Sequence, residues 1–177
     1  MTGVQTCALP ISFDADNNHD YLNAIPFADH GALLDPPTAD VSARCLSLLA
    51  QLGELPATSE ASARAVAYLK REQMPDGSWF GRWGMNYIYG TWSVLCAFNA
   101  CGIPSDSTEV RKAVAWLLAI QNEDGGWGED GSSYRLDYRA YRAAPSTASQ
   151  TAWALLALMA AGEVDNPAVA RGIEHLA

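Results

Sequence analysis

The residues with the clearest chemical potential in this chain are aromatic. Trp79, Trp83, Tyr87, Tyr89 and Trp92 lie close together in sequence, among glycines and beside a single arginine. The face of an aromatic ring stabilises a desolvated cation by about 2 kcal/mol. Rings in a glycine-rich turn beside an apolar helix could line a cavity for a cationic intermediate, but such rings also build ordinary cores. The pattern alone leaves both interpretations open.

Acidic residues offer a second kind of chemistry. Asp14 and Asp16 form one close pair, and Glu129 and Asp130 form another. Paired carboxylates can bind metals or act on glycosides, but no histidine or cysteine accompanies these pairs at ligand spacing, and the cysteines show no CxxC motif. We therefore interpret both pairs as solvated turn residues and predict no metal site.

Charge and hydropathy exclude two classes of function. The formal net charge of −9 leaves no basic stripe that could neutralise phosphates, so no nucleic-acid partner is expected. The longest apolar run, residues 152–162, is about half of the ~20 residues that a membrane-spanning helix needs. With 49% hydrophobic residues, the composition is that of a well-buried globular chain.

One segment of the chain is repeated. Residues 67–79 and 115–127 align with glutamine, glycine and tryptophan in register, at Gln73, Gly77 and Trp79 in the first copy and at Gln121, Gly125 and Trp127 in the second. The Asp-Gly step supplies the positive φ of a tight turn. A flat tryptophan can cover a glutamine amide that bridges neighbouring helix ends, so we predict a structural role. Such a repeat indicates stacked supersecondary units.

Hydrophobic periodicity predicts an all-α fold. Helices are expected from Thr38 or Asp40 to about residue 52, from Ser59 or Ser62 to 73, over 89–101, from Ser107 or Thr108 to 121, over 146–161, and from Asn166 onward. Helices that are apolar on all sides alternate with amphipathic ones. The expected solution is a buried inner layer and a half-wetted outer layer. This arrangement is a partial α/α toroid of about three helical hairpins, with its long loops gathered at one end.

Several linked motifs resemble the triterpene cyclases, and among them the bacterial squalene–hopene cyclases. Besides the two glutamine–tryptophan turns, they are Phe13-Asp-Ala-Asp-Asn17, Ile25-Pro-Phe with Asp35-Pro-Pro37, Gly81-Arg-Trp-Gly-Met-Asn-Tyr-Ile-Tyr-Gly90, and Ser146-Thr-Ala-Ser-Gln-Thr-Ala-Trp153. The resemblance runs from Phe13 to Ala177. It implies an incomplete toroid domain over 13–177, belonging to the C-terminal catalytic toroid.

The resemblance also implies an activity. Members protonate squalene with an aspartic acid of a DxDD motif and close it to hopene or hopanol through cations held against aromatic rings, without metal or organic cofactor. They are isomerases of hopanoid biosynthesis and lie as monotopic proteins on the cytoplasmic side of bacterial membranes; a homodimeric parent is compatible with this. No DxDD occurs in this chain. We expect the proton donor to precede Phe13 in a longer parent, and the chain alone to be inactive.

Three site residues follow from the family pattern. Trp83 and Tyr89 are carried onto the cavity wall and the substrate-binding surface, with Tyr89 as a hydrogen-bond partner of the proton donor. Asp20 follows the carboxylate that supports the acid; its alternative is an Asx-turn residue in a loop. Some relatives have a histidine four positions further on, where this chain has Ala24.

Residues 1–12 resemble a translated sequencing adapter, and we expect them to lie outside the fold.

Three alternative functions stay open. A cyclase for another prenyl chain would use the same scaffold. A protein prenyltransferase β subunit would need a zinc-ligand set of Asp, Cys and His. A non-catalytic α/α repeat binding module would have a polar inner face instead of an aromatic one.

Overall fold

The computed structural model describes residues 37–134 and 141–177. The helices in these residues are α1 (Ala39–Gln51), α2 (Glu60–Arg71), α3 (Asn86–Ala100), α4 (Thr108–Ala119), α5 (Ala148–Ala160) and α6 (Pro167–Leu176), with a 3-10 turn at Gly131–Tyr134. The extended pairing in this part of the chain is a single antiparallel bridge between Glu129 and Ala143. The predicted all-α class is confirmed.

The helices form two layers. In the inner layer, α3 packs between α1 and α5. In the outer layer, α2 packs on α1, α6 packs on α5, and α4 contacts both α3 and α5. Leu46, Val94 and Leu158 of the inner helices are fully buried, as are Leu69 and Leu117 of the outer ones. The core therefore lies between the layers, as the alternation of apolar and amphipathic helices predicts.

The first glutamine–tryptophan turn joins two outer helices. The Gln73 side-chain amide donates to the Gly77 carbonyl at 2.9 Å and to the Glu109 carbonyl of α4 at 2.8 Å. The fully buried Trp79 donates its indole N–H to the Leu69 carbonyl of α2 at 2.6 Å. These bonds connect the end of one outer helix to the start of the next, and they satisfy carbonyl groups that burial would otherwise leave unpaired.

The second turn repeats the same bonds. Gln121 donates to the Gly125 carbonyl and to the Ala168 carbonyl of α6, both at 2.8 Å. The buried Trp127 donates its indole N–H to the Leu117 carbonyl at 2.9 Å. Its backbone N–H donates to the Thr151 hydroxyl of α5 at 3.0 Å. The turn thus contacts two outer helices and one inner helix, and it fixes their relative positions.

Five of the six described helices start next to a capping residue that the sequence predicts, and two of them have a side-chain cap hydrogen bond. The Thr147 and Asn166 side chains accept from the backbone of the first turns of α5 and α6, and Pro167 occupies the start of α6. However, α3 begins at Asn86, earlier than the predicted Tyr89. The residue at its N-cap is Met85, whose side chain makes no cap hydrogen bond. None of the described helices is long and apolar enough to cross a bilayer.

Candidate active site

An aromatic cluster joins two inner helices. Tyr89 and Trp92 lie one turn apart on α3, with ring centroids 5.5 Å apart. Trp153 of α5 meets the Tyr89 ring edge-on at 5.1 Å and stacks on Trp92 at 5.9 Å with an interplanar angle of 11°. All three rings are half-buried. Three polarisable faces therefore meet where α3 packs against α5.

A cation from the neighbouring helix faces this cluster. The Arg44 guanidinium of α1 lies 5.1 Å from the centroid of the Trp92 ring, within cation–π distance. A cavity of about 280 Å³ opens between α1 and α3, lined by Arg44, Ser47, Leu48, Gln51, Trp92, Ser93 and Cys96. The cavity has a mixed lining, with the Trp92 ring as its aromatic wall.

The Tyr89 ring packs closely against two glycines of the turn before α3. A Cβ built on Gly84 would lie 2.4 Å from Tyr89 Cγ, and one on Gly81 would lie 2.9 Å from Tyr89 Cδ1. Neither glycine has a positive φ. The glycines are therefore required by the close approach of the ring, because side chains there would occupy its space.

A buried carboxylate accepts hydrogen bonds from the backbone of the turn before α3. Asp40, in the first turn of α1, is fully buried, and its Oδ2 accepts from the backbone N–H groups of Arg82 at 3.0 Å and Trp83 at 2.9 Å. Its Oδ1 has no hydrogen-bond partner among the described residues. The Trp83 side chain is 41% exposed. Asp40 therefore fixes the backbone from which this partly exposed ring projects.

Burial favours the neutral form of the Tyr89 phenol, and two nearby charges act on it in opposite directions. Burial raises the pKa of Tyr89, the positive charge of Arg44 opposes that rise, and the Asp40 carboxylate adds to it. A neutral phenol can donate one hydrogen bond and accept others. The three side chains are close enough to influence one another electrostatically, and they come from α1 and α3.

A second buried carboxylate lies at the start of α3. Glu129 is only 4% exposed, so its interpretation as a solvated turn residue is wrong, whereas its neighbour Asp130 is exposed. Burial raises the pKa of the Glu129 carboxyl, while hydrogen bonds from backbone N–H groups of α3 act in the opposite direction. These bonds explain why α3 begins earlier than its apolar pattern indicates.

The predicted site residues are distributed as follows. Trp83 lies in the turn before α3, and Tyr89 lies in the first turns of that helix. The Tyr89 ring contacts are with Trp92 and Trp153. Asp20 falls outside the described residues, as do residues 1–12, so both predictions stay predictions. In residues 37–134 and 141–177, no three His, Cys, Asp or Glu side chains come together in a group that could hold a metal ion.

The structure places here three residues that sequence reasoning did not connect with the site, Asp40, Arg44 and Trp153, and it selects Trp92 from the aromatic residues that the sequence singled out. The signal for the first two was available, because an acid and a base four positions apart lie on one face of a helix. Trp92 stands three positions after Tyr89, on the same face. Trp153 is brought to them only by the packing of α5 on α3, which local spacing does not encode.

Comparison with known proteins identifies the family. Residues 10–177 match the squalene-hopene cyclase C-terminal domain. The chain belongs to the squalene–hopene cyclase family. It is 69% identical over 165 residues to the squalene–hopene cyclase of Bradyrhizobium diazoefficiens, covering 93% of this chain and 25% of that protein. It is 49% identical to that of Alicyclobacillus acidocaldarius, covering 93% of this chain and 26% of that protein.

A solved structure shares the architecture. The ent-copalyl diphosphate synthase from Streptomyces platensis superposes with a TM-score of 0.62 and 27% sequence identity, over 80% of this chain and 27% of that one. The prediction of a partial α/α toroid is confirmed. The chain spans about a quarter of the length of the squalene–hopene cyclases it matches.

Proposed function

We propose that this chain forms part of the catalytic toroid of an enzyme that converts squalene to hopene or hopanol. The reaction begins with protonation of a terminal alkene and proceeds through carbocations, which aromatic rings stabilise. The family membership supports a terpene cyclase parent. What we propose beyond this is the identity of the substrate, squalene, and of the product, hopene or hopanol.

The observation that carries this proposal is the aromatic cluster of Tyr89, Trp92 and Trp153. Rings at 5.1 to 5.9 Å from one another, on adjacent inner helices, bring aromatic surface together in a small region, where the Trp92 ring already has the Arg44 guanidinium at cation–π distance. Each desolvated face can stabilise a cation by about 2 kcal/mol. The partly exposed Trp83 adds a further ring on the adjoining turn. An aromatic inner layer favours a cyclase over a repeat module that binds polar partners.

The aromatic surface has a polar edge, which is formed by Tyr89, Asp40 and Arg44. Tyr89 serves as a neutral hydrogen-bond partner of the proton donor, since burial keeps its phenol protonated. Asp40 is a second candidate, beside Asp20, for the carboxylate that supports the acid, because it is buried and one of its oxygens is unpaired within the described residues. A nearby negative charge disfavours ionisation of a second carboxylic acid and so helps it to stay protonated.

The parent enzyme supplies the remaining parts. We place the proton-donating DxDD motif N-terminal to Phe13, so the 177-residue chain should show no turnover by itself. No cofactor is needed, since protonation and cation rearrangement require only an acid and an apolar cavity. Squalene is an apolar lipid, which favours a monotopic position of the parent on the cytoplasmic membrane face. Flotation of the parent with liposomes tests that position.

The test is a full-length chimera. Residues 13–177 replace the matching segment of the Bradyrhizobium diazoefficiens enzyme, and products from squalene are analysed by gas chromatography with mass spectrometry. We expect hopene as the main product from the chimera and none from the chain alone. A folded chimera that leaves squalene unchanged would overturn the proposal, and hopene from the chain alone would overturn the placement of the acid.

A cyclase for another prenyl chain is the second candidate. The solved relative is named for copalyl diphosphate, which makes a prenyl diphosphate a reasonable competing substrate on this scaffold. The same chimera is assayed with a prenyl diphosphate in parallel. Preferential cyclisation of the diphosphate would favour this second function.

A further inference from the structure

The N-terminus of α3 is capped by a side chain from a distant loop. Glu129 accepts hydrogen bonds from the backbone N–H groups of Asn86 at 2.9 Å, Tyr87 at 3.0 Å and Ile88 at 3.1 Å. These are the first N–H groups of the helix, which have no intrahelical acceptor. A carboxylate is favoured there by the helix dipole as well. The cap residue itself, Met85, provides no such group.

Glu129 is in turn held by the third inner helix. The side-chain oxygen of Gln150, in the first turn of α5, accepts from the Glu129 backbone N–H at 3.1 Å. The Gln150 amide nitrogen donates to the Glu129 carbonyl at 3.3 Å. The Thr147 hydroxyl donates to the same Gln150 oxygen at 2.9 Å, which fixes the orientation of the amide. A buried chain of hydrogen bonds therefore runs from α5 through Glu129 to α3.

The capped residues also hold the turn that precedes them. The Asn86 amide nitrogen donates to the carbonyls of Gly81 at 2.8 Å and Gly84 at 3.2 Å, and its side-chain oxygen accepts from Ser133 at 2.7 Å. The Tyr89 ring packs directly on Gly84. A shift of the first turn of α3 would therefore move Gly84 and the Tyr89 ring together.

We propose that Glu129 is a positioning residue of the cyclisation site, which sets the placement of Tyr89 and Trp83 by capping α3 from the second loop. This inference rests on the proposed function. Glu129 does not need to touch the substrate. Its effect passes through hydrogen bonds to the backbone of Asn86, Tyr87 and Ile88, which directly precede Tyr89 in α3. It also passes through the Asn86 side chain to the turn that carries Trp83. Displaced rings would stabilise the successive cations unequally, so some would lose a proton before the last ring closes.

The test uses the full-length chimera with Glu129→Gln. Glutamine keeps the shape of the side chain but removes its charge, and its NH2 group faces backbone donors. We expect kcat per folded enzyme to fall at least tenfold and the fraction of incompletely cyclised products to rise at least threefold, with KM for squalene changing less than kcat. Glu123→Gln is the matched control, because Glu123 is an exposed acid of the same loop, and it should behave as the unmodified chimera.

A purely structural role is distinguished by a stability-matched variant. Val114→Ala removes buried volume from the outer helix α4 and lowers the melting temperature without touching the site. It should leave the product ratio unchanged. If Glu129→Gln does not fold, the variant Gln150→Met is tested instead. Gln150→Met removes the two hydrogen bonds to the Glu129 backbone and keeps the Glu129 carboxylate. We expect a rise in incompletely cyclised products here too, smaller than for Glu129→Gln.

The outcomes separate the two proposals. An unmodified chimera that makes no hopene would refute the proposed function. An active chimera whose Glu129→Gln variant, or Gln150→Met in its place, keeps the original kcat and product ratio would refute the positioning role alone. A loss of folded enzyme with an unchanged product ratio would also refute it.

Discussion

Gly125 and Gly53 form a matched pair that measures how tightly a glutamine–tryptophan turn packs on the outer layer. Their φ angles are nearly equal, at +83° and +87°. A Cβ on Gly53 would meet nothing within 4 Å, whereas one on Gly125 would lie 2.7 Å from the Arg171 carbonyl oxygen of α6. Alanine at either position is strained by roughly 1–2 kcal/mol because of the left-handed backbone. Only Gly125→Ala adds a steric conflict with another helix.

The difference between the two variants isolates that conflict. The atom in the way belongs to the backbone, so the turn or α6 must move, at a cost of roughly 1–3 kcal/mol. We expect Gly125→Ala to lower the free energy of unfolding by that much more than Gly53→Ala. For a chain of this size, each kcal/mol corresponds to about 2–4 °C in melting temperature. Urea and thermal unfolding of the 177-residue chain, followed by circular dichroism, give both quantities. Equal losses in the two variants would refute the idea that the turn bears directly on α6.

Three further predictions concern the site and its pH dependence. Gly84→Ala in the full-length chimera should reduce squalene turnover at least tenfold, because the new methyl group occupies the place of the Tyr89 ring. Gly131→Ala should have little effect, since its Cβ would have only an ordinary contact at 3.8 Å. Equal activities would contradict the packing of Tyr89 against Gly84. Tyr89→Phe should slow initiation, seen as a lower rate constant in single-turnover assays with squalene, and an unchanged rate constant would remove Tyr89 from the acid's surroundings. Burial raises the pKa of Tyr141, which donates to the Gly128 carbonyl at 2.6 Å, from 10.0 to about 12. Because the fold favours the neutral phenol, this stability is complete below about pH 10 and is lost as the pH rises towards 12. Urea midpoints at intervals across this range should therefore fall less for Tyr141→Phe than for the unmodified chain.

The sequence was sufficient for the fold because its signals were local. In the described residues, five of the helix starts lie next to predicted capping residues, of which Thr147 and Asn166 accept a backbone hydrogen bond. The alternating polarity of the helices assigns the layers. The two turns could be recognised because glutamine, glycine and tryptophan recur at fixed spacing. Each of these features depends on residues a few positions apart, where sequence spacing and spatial distance are closely related.

The site was only partly predictable because its contacts are distant in the chain. Tyr89 and Trp83 followed from the family pattern, but the stacking of Trp153 on Trp92 depends on the packing of α5. Glu129 next to Asp130 has the same local appearance as any solvated acidic pair. Its burial becomes intelligible only when the uncapped start of α3 is known, because that helix end offers the donors that a buried carboxylate needs.

The two buried carboxylates act on the same short segment from opposite sides. Asp40 of α1 accepts from the backbone at Arg82 and Trp83, and Glu129, bound to α5, accepts from the backbone starting at Asn86. The turn over residues 81–86 has no helical ladder of its own, and one local backbone bond, from the Gly81 N–H to the Asn86 carbonyl at 2.8 Å, closes it. The two carboxylates therefore tie this turn to the rest of the inner layer. The aromatic surface of α3 is therefore placed by its two neighbours in the inner layer. It follows that a change in the packing of α1 or α5 should reach Trp83 and Tyr89 even when the change is made far from either ring.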